Sequence, residues 1–343
     1  VSKRIYVAYT GGTIGMKRTE SGYAPEPGYL TAQIATMPEF QNPALPAFDL
    51  HEYDPLLDSA NMTHHNWREI AEDIAAHYEE YDGFIVLHGT DTMAYTASAL
   101  PFMLSGLQKP VILTGSQIPL CEVRSDAREN LITALMIAAR YPIPEVCLHF
   151  GSTLLRGCRS TKVSAGGFDA FASPNYPPLG TVGVDIDIDW DHVLLSDRDV
   201  HNRLTLQPLD TSAVSVLRLF PGISADMVGN MLQPPLKGLI IEAYGVGNGP
   251  EKSRDLMDAL AAASARGVVI VVCSQCLHGT VDLADYAAGS ALARAGAISG
   301  YDMTTETALA KLRYLFSLNL TPDEIRAVMQ TNLVGELTRP DAG

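Results

Sequence analysis

The run Phe84-Ile85-Val86-Leu87 is apolar at every position, so both of its faces need cover. A strand of that kind belongs inside a parallel sheet. Parallel neighbours must be joined by crossovers, and crossover helices supply the cover. The same unit recurs along the chain. Arg4–Tyr9, Val111–Leu113 and Val146–Phe150 read as strands in the first half, and Val214–Phe220, Leu239–Ala243 and Val268–Val272 in the second. Helical periods lie between them. Trp67, Ile70, Ala71, Ile74, Ala75 and Tyr78 mark one buried stripe behind a capping Thr63; Leu256, Leu260 and Ala263 mark another. Asp126 and Glu129 have the spacing of a capping box for a helix over 127–140. The alternation predicts an α/β fold with a mainly parallel sheet.

At 343 residues the chain is long for one core. The acidic, weakly patterned stretch Asp185–Asp199 gives way near Thr205–Ser212 to a second alternating series. This predicts a larger N-terminal domain over 1–190, a linker over 191–212 and a smaller α/β domain over 213–343.

The formal net charge of −15 makes nucleic acid and anionic membranes poor partners. No apolar run approaches the roughly 18 residues of a membrane span. The opening Val1-Ser2-Lys3-Arg4 leads straight into a short strand without the pattern of a signal peptide, which predicts a cytoplasmic location for an intact chain; a mature secreted form with its signal removed would read the same. Five cysteines are too few for a disulfide framework. Cys273 and Cys276 form a lone C-x-x-C with no second pair, and His64 and His65 point about 100° apart on a helix. No metal site is expected, and the thiols read as reduced and structural.

Chemistry concentrates in loops that follow the strands. Thr10-Gly11-Gly12-Thr13-Ile14-Gly15 follows the first, and its glycines leave the Thr13 hydroxyl little cover. His88-Gly89-Thr90-Asp91-Thr92 follows Phe84–Leu87, and parallel strands bring both loops to one sheet edge. Met16–Leu30 lacks an apolar period and reads as a long loop suited to a lid, carrying Tyr23. A threonine is a weak nucleophile without a base. Tyr23, Lys162 and Asp91 are the candidates to activate one. No hydrolase triad spacing and no G-x-S-x-G elbow is present. A phosphate cradle is the competing reading of Gly11, Gly12 and Gly15, but the spacing is not G-x-G-x-x-G and no P-loop lysine follows.

Thr-Gly-Gly-Thr-Ile-Gly near the amino terminus, with His-Gly-Thr-Asp-Thr-Met about 75 residues later, resembles the paired signature of the bacterial-type L-asparaginases. Asp58-Ser59, Thr114–Gln117, Arg159–Lys162, Phe168–Asn175 and Tyr244–Gly249 support the likeness over nearly the whole chain, and the lack of a leader pattern resembles the cytoplasmic (type I) branch. The resemblance implies the two-domain asparaginase-like fold and hydrolysis of L-asparagine to aspartate and ammonia through an acyl-threonine, without metal or cofactor. Thr13 would be the nucleophile and Tyr23 its helper from the lid. Thr90, Asp91 and Lys162 would form a second polar triad, with Lys162 accepting a proton for Thr90. The resemblance leaves open which threonine attacks first. Asp58, Ser59 and Asp91 would hold the substrate's α-amino and α-carboxylate groups. It also implies a homotetramer built from intimate dimers, in which the second domain completes the neighbour's site and Asn248 contributes. The acidic residue that secreted members take from a partner subunit has only Asp282 and Asp285 as counterparts here. An activating second asparagine site would call for a basic residue where this chain has Glu242. A tRNA-linked glutaminase subunit of the same superfamily would carry an extra N-terminal domain.

Overall fold

The structure is a computed structural model and describes residues 3–20, 22–194, 203–283 and 291–339. The chain divides into two compact units, Val1–Gln207 and Pro208–Gly343. Part of the stretch expected to be linker belongs to the first unit, where Thr205–Leu206 pairs antiparallel with Leu104–Ser105. Positions 195–202 of that stretch, and Asp285, lie outside the described residues.

In the first unit Gly83–Leu87 is buried at all five positions. It lies between Arg4–Gly11 and Val111–Thr114, parallel to both. Ala47–Leu57 pairs parallel on the far side of Arg4–Gly11, and Val146–Phe150 extends the series beyond Val111–Thr114. Three antiparallel strands, Thr153–Arg156, Gly180–Val182 and Ile186–Ile188, complete an eight-stranded sheet. Alternate residues face opposite cores. Ile85 and Leu87 join Ile5, Val7 and Ile112 against Leu131 and Leu135 of the helix Ala127–Arg140. Phe84 faces the other side, stacked on Tyr78 with ring centroids 5.7 Å apart. The helix His64–Ala76 starts as its sequence directs. Thr63 and Asn66 form a reciprocal capping box, and Trp67, Ile70, Ala71 and Ile74 are its buried stripe.

The expected unstructured lid is ordered. Met16–Thr19 and Gly22–Pro25 pair as an antiparallel hairpin with Arg18 opposite Tyr23, and the helix Tyr29–Thr36 follows. No residue of these two strands is fully buried, so no apolar alternation marked them in sequence.

The second unit holds a four-stranded parallel sheet in the order Ala213–Arg218, Leu236–Ala243, Val269–Ser274, Ile298–Ser299. Its two faces carry separate cores. Leu239, Ile241, Ile270 and Val272 pack with Leu256 and Leu260 of the helix Arg254–Ala265. Ile240, Val269 and Val271 pack with Leu312 and Leu315 of Thr305–Phe316 and with Ile325 and Met329 of Pro322–Met329.

Two histidines of the first unit, His88 and His149, are wholly enclosed, and burial depresses each pKa to about 4. An unfolded histidine titrates near 6.5, so between pH 6.5 and 4 the unfolded chain binds protons that these sites refuse. Their contribution is complete above pH 6.5 and is lost as pH falls toward 4. It amounts to about 3 kcal/mol per site over that window. Urea midpoints measured from pH 7 to pH 4.5 should therefore fall, and His149→Gln should flatten the slope. An unchanged slope in that variant would show that His149 is not the coupled group.

Candidate active site

Four strands of the first unit, Ala47–Leu57, Arg4–Gly11, Gly83–Leu87 and Val111–Thr114, are parallel neighbours, so the loops after them share one edge. Two of these loops meet backbone to backbone. Gly12 has φ 91°, and a β-carbon there would lie 2.5 Å from Gly89 Cα and N. A β-carbon on Gly89 would in turn lie 2.4 Å from Ser59 Oγ. The Thr92 hydroxyl donates to the Ser59 carbonyl at 2.7 Å and ties the third loop to the second. Only glycine at positions 12 and 89 allows this approach.

Thr13 opens the short 3-10 turn Thr13–Gly15 and is half-buried. Among the described residues its hydroxyl has no hydrogen-bond partner. Thr90 is 7% exposed. Its Oγ1 accepts a hydrogen bond from Lys162 Nζ at 2.9 Å, and Nζ also donates to Asp91 Oδ1 at 2.8 Å. Thr161–Lys162 pairs antiparallel with Phe171–Ala172, and this two-residue ribbon carries the lysine to a loop 72 positions away in sequence. The Asp91 side chain is 65% exposed. An ion pair so open to water adds little stability, about 1 kcal/mol at most, so its significance is orientation.

The loop after Val111–Thr114 supplies a residue whose role the sequence did not show. Gln117 Nε2 donates to the Gly167 carbonyl at 3.0 Å, and its Oε1 accepts a long 3.4 Å contact from the Thr90 hydroxyl. The Asp126 carboxylate accepts from the backbone N–H groups of Gln117 and Ile118 at 3.0–3.1 Å. This corrects the expected capping box. Asp126 precedes Ala127–Arg140 but makes no cap bond to it, because its oxygens are spent on the neighbouring turn.

The other expected residues fall as follows. Ser59 is buried, and Asp58 is exposed with Oδ1 accepting from Ala60 N at 3.1 Å. Tyr23 is 46% exposed, and its hydroxyl donates to Glu122 Oε1 at 2.7 Å. That hydrogen bond raises the phenol pKa, so Tyr23 holds its proton in this arrangement. The structure thus brings Thr90, Asp91 and Lys162 together and sets Ser59 beside their loop, while Tyr23 is engaged with Glu122. Asn248 lies in the second unit, exposed, in a turn closed by paired backbone hydrogen bonds with Tyr244. In that unit Glu242 accepts from Arg218 Nη1 at 3.2 Å and from Thr305 Oγ1 at 2.8 Å. Asp282 N donates to the Val246 carbonyl.

His88 also escaped the sequence reading. It is fully buried, with Nδ1 2.7 Å from the Gly89 carbonyl and Nε2 2.7 Å from Thr96 Oγ1. Its place directly before Gly89-Thr90 was the only signal. Among the described residues no group of three His, Cys, Asp or Glu side chains is placed to hold a metal ion, and no helix is long and apolar enough to cross a membrane.

Comparison with known proteins bears on both units. Residues 4–194 match the family model described as Asparaginase, N-terminal, and residues 213–329 match the Glutaminase/Asparaginase C-terminal domain. L-asparaginase 1 of Escherichia coli (strain K12) is 54% identical over 341 residues, 99% of each chain. The 60 kDa lysophospholipase of Mus musculus is 45% identical over 360 residues, covering 98% of this chain and 63% of that longer protein. The crystal structure of L-asparaginase I from Vibrio cholerae O1 biovar eltor str. N16961 superposes with a TM-score of 0.91 at 50% identity, covering 99% of this chain and 100% of that one. With two threonine loops packed against each other, a lysine brought to the second, and both domain models matched in order, the chain belongs to the asparaginase family.

Proposed function

We propose that this chain is an L-asparaginase that hydrolyses the side-chain amide of asparagine through an acyl-threonine. The observation that carries the reading is the Lys162–Thr90–Asp91 contact set, built on a loop whose backbone abuts the Thr13 loop. Thr13 is the nucleophile. Its oxygen attacks the carboxamide carbon, its proton passes to a base, and the carbonyl oxygen becomes an alkoxide. Backbone N–H groups at Thr13 and Thr90 would stabilise that alkoxide, each worth about 3–4 kcal/mol in the transition state. Collapse breaks the C–N bond, and the nitrogen leaves as ammonia after taking a proton. Water then adds to the ester, the bond to Thr13 Oγ1 breaks, and aspartate departs with the hydroxyl restored.

Lys162, as the neutral amine, would be the proton acceptor of the second triad, and Thr90 would transmit between it and the reacting atoms. Tyr23 would assist Thr13 from the hairpin, on exchanging its contact with Glu122. Asp58, Ser59 and Asp91 would hold the α-amino and α-carboxylate groups. The enzyme would work in the cytoplasm, a reading supported by cysteines that form no disulfide among the described residues. It would assemble as a tetramer of two intimate dimers, with Asn248 serving the neighbour's site. Glu242, already paired with Arg218, argues against a second, activating asparagine site.

Ammonia release from asparagine and glutamine, followed over a wide concentration range, tests the reading. Asparagine should be turned over with a hyperbolic dependence. The extra methylene of glutamine should cost between 10- and 200-fold in kcat/KM. Thr13→Ala should abolish release while leaving the melting temperature unchanged; retained activity would remove Thr13 from its role. Lys162→Met should lower kcat by about 10²–10⁴-fold with little loss of stability. Equal loss of both would make it a structural lysine. Light scattering should give four times the mass of one chain, and a monomer would exclude the shared site.

A further inference from the structure

The mechanism above leaves unused one titratable group beside the reacting atoms. His88 lies at the end of Gly83–Leu87 and is 0% exposed. Both ring nitrogens are engaged at 2.7 Å. The Gly89 carbonyl can only accept, so Nδ1 carries the proton. Nε2 is then the acceptor and the Thr96 hydroxyl the donor. Thr96 is itself 0% exposed, on the helix Met93–Met103. A single neutral tautomer is therefore fixed from both ends.

The bond to the Gly89 carbonyl has a consequence one atom further on. In a trans peptide the C=O of one residue and the N–H of the next lie in one plane and point oppositely. The Gly89–Thr90 peptide is not among the cis bonds. Holding the Gly89 oxygen therefore aims the Thr90 N–H. Among the described residues that N–H has no acceptor, although Thr90 itself is nearly buried. An aimed, unspent donor beside Thr90 Oγ1 is what a developing alkoxide requires.

We propose that His88 is a positioning residue that, through the Gly89 carbonyl, orients the Thr90 N–H toward the tetrahedral oxyanion, with Thr96 setting its tautomer. This rests on the amidohydrolase reading given above. His88 transfers no proton. Its depressed pKa, about 4, keeps it neutral across the range in which such an enzyme works.

Two substitutions separate the ends of the ring. Asparagine places its Nδ2 where Nδ1 of histidine stands, and glutamine places its terminal amide near Nε2. His88→Asn keeps the donor to Gly89, whereas His88→Gln keeps only the contact with Thr96. We expect His88→Asn to retain kcat within about 3-fold and His88→Gln to lose at least 10-fold, with the pH profile unaltered in shape. Aspartate β-semialdehyde supplies a readout that stability does not move. Its carbonyl takes an attacking hydroxyl to give a tetrahedral alkoxide. Its affinity should fall in His88→Gln by the factor lost in kcat/KM, while the affinity for aspartate stays constant. Equal losses for both ligands, or a His88→Gln variant as active as the parent, would overturn the proposal. If neither variant folds, neutron diffraction on the wild type decides. Deuterium on Nδ1 supports the assignment, and deuterium on Nε2 alone ends it. Wild-type protein that releases no ammonia would sink the amidohydrolase reading without altering the tautomer result.

Discussion

The contact between Gly12 and Gly89 is the constraint on which the rest of the site depends. With hydrogen as the only side chain on either residue, two loops from adjacent strands close to backbone contact. Thr13 and Thr90 each follow one of these glycines, so the distance between the two hydroxyl-bearing residues is set by covalent geometry and not by flexible side chains. The parallel register of Arg4–Gly11 with Gly83–Leu87 brings the loops to the same edge. The glycines then remove the last obstacle. A β-carbon at position 12 would push these two loops apart, and one at position 89 would strike Ser59 of the third loop, before any catalytic group could be placed.

Around that fixed pair, polar groups are supplied from increasing distance along the chain. Asp91 comes from the same loop, Gln117 from the loop after the next parallel strand, and Lys162 from the separate two-residue ribbon Thr161–Lys162. Gln117 and Lys162 are held by backbone as well as side-chain bonds. Gln117 is tethered through its own N–H to Asp126 and through its amide to Gly167. Lys162 is tethered through its pairing with Phe171. The arrangement follows a general rule for precise sites: the reacting groups are rigid because the groups behind them are bound.

Much of this was legible in sequence because burial writes itself into apolar pattern. Gly83–Leu87 had to be a covered parallel strand, and the helix with Trp67, Ile70 and Ile74 had to present one stripe. The hairpin that carries Tyr23 was not legible, since strands without a buried residue leave no alternation to read. Asp126 was misread for a different reason. A capping pattern is local, and the tertiary demand of two unpaired N–H groups at Gln117 and Ile118 took its carboxylate instead. His88 was hidden because a buried, neutral histidine looks like any residue at a strand end until its two partners are known. Lys162 could be chosen from its motif, but its reach to Thr90 depends on a strand pairing too short for any pattern to show.

The Asp126 tether has a mechanical consequence. The turn at Gln117–Ile118 is suspended from Asp126, the residue immediately before Ala127–Arg140, and Leu131 and Leu135 of that helix are clamped beneath the sheet. Asn130 of the same helix holds the Gly115 carbonyl and the Gly151 N–H, so it binds two further loop ends. These loops therefore ride on the helix as one body. Their opening follows the rare excursions of a packed core element, not the rapid fluctuation of surface chain.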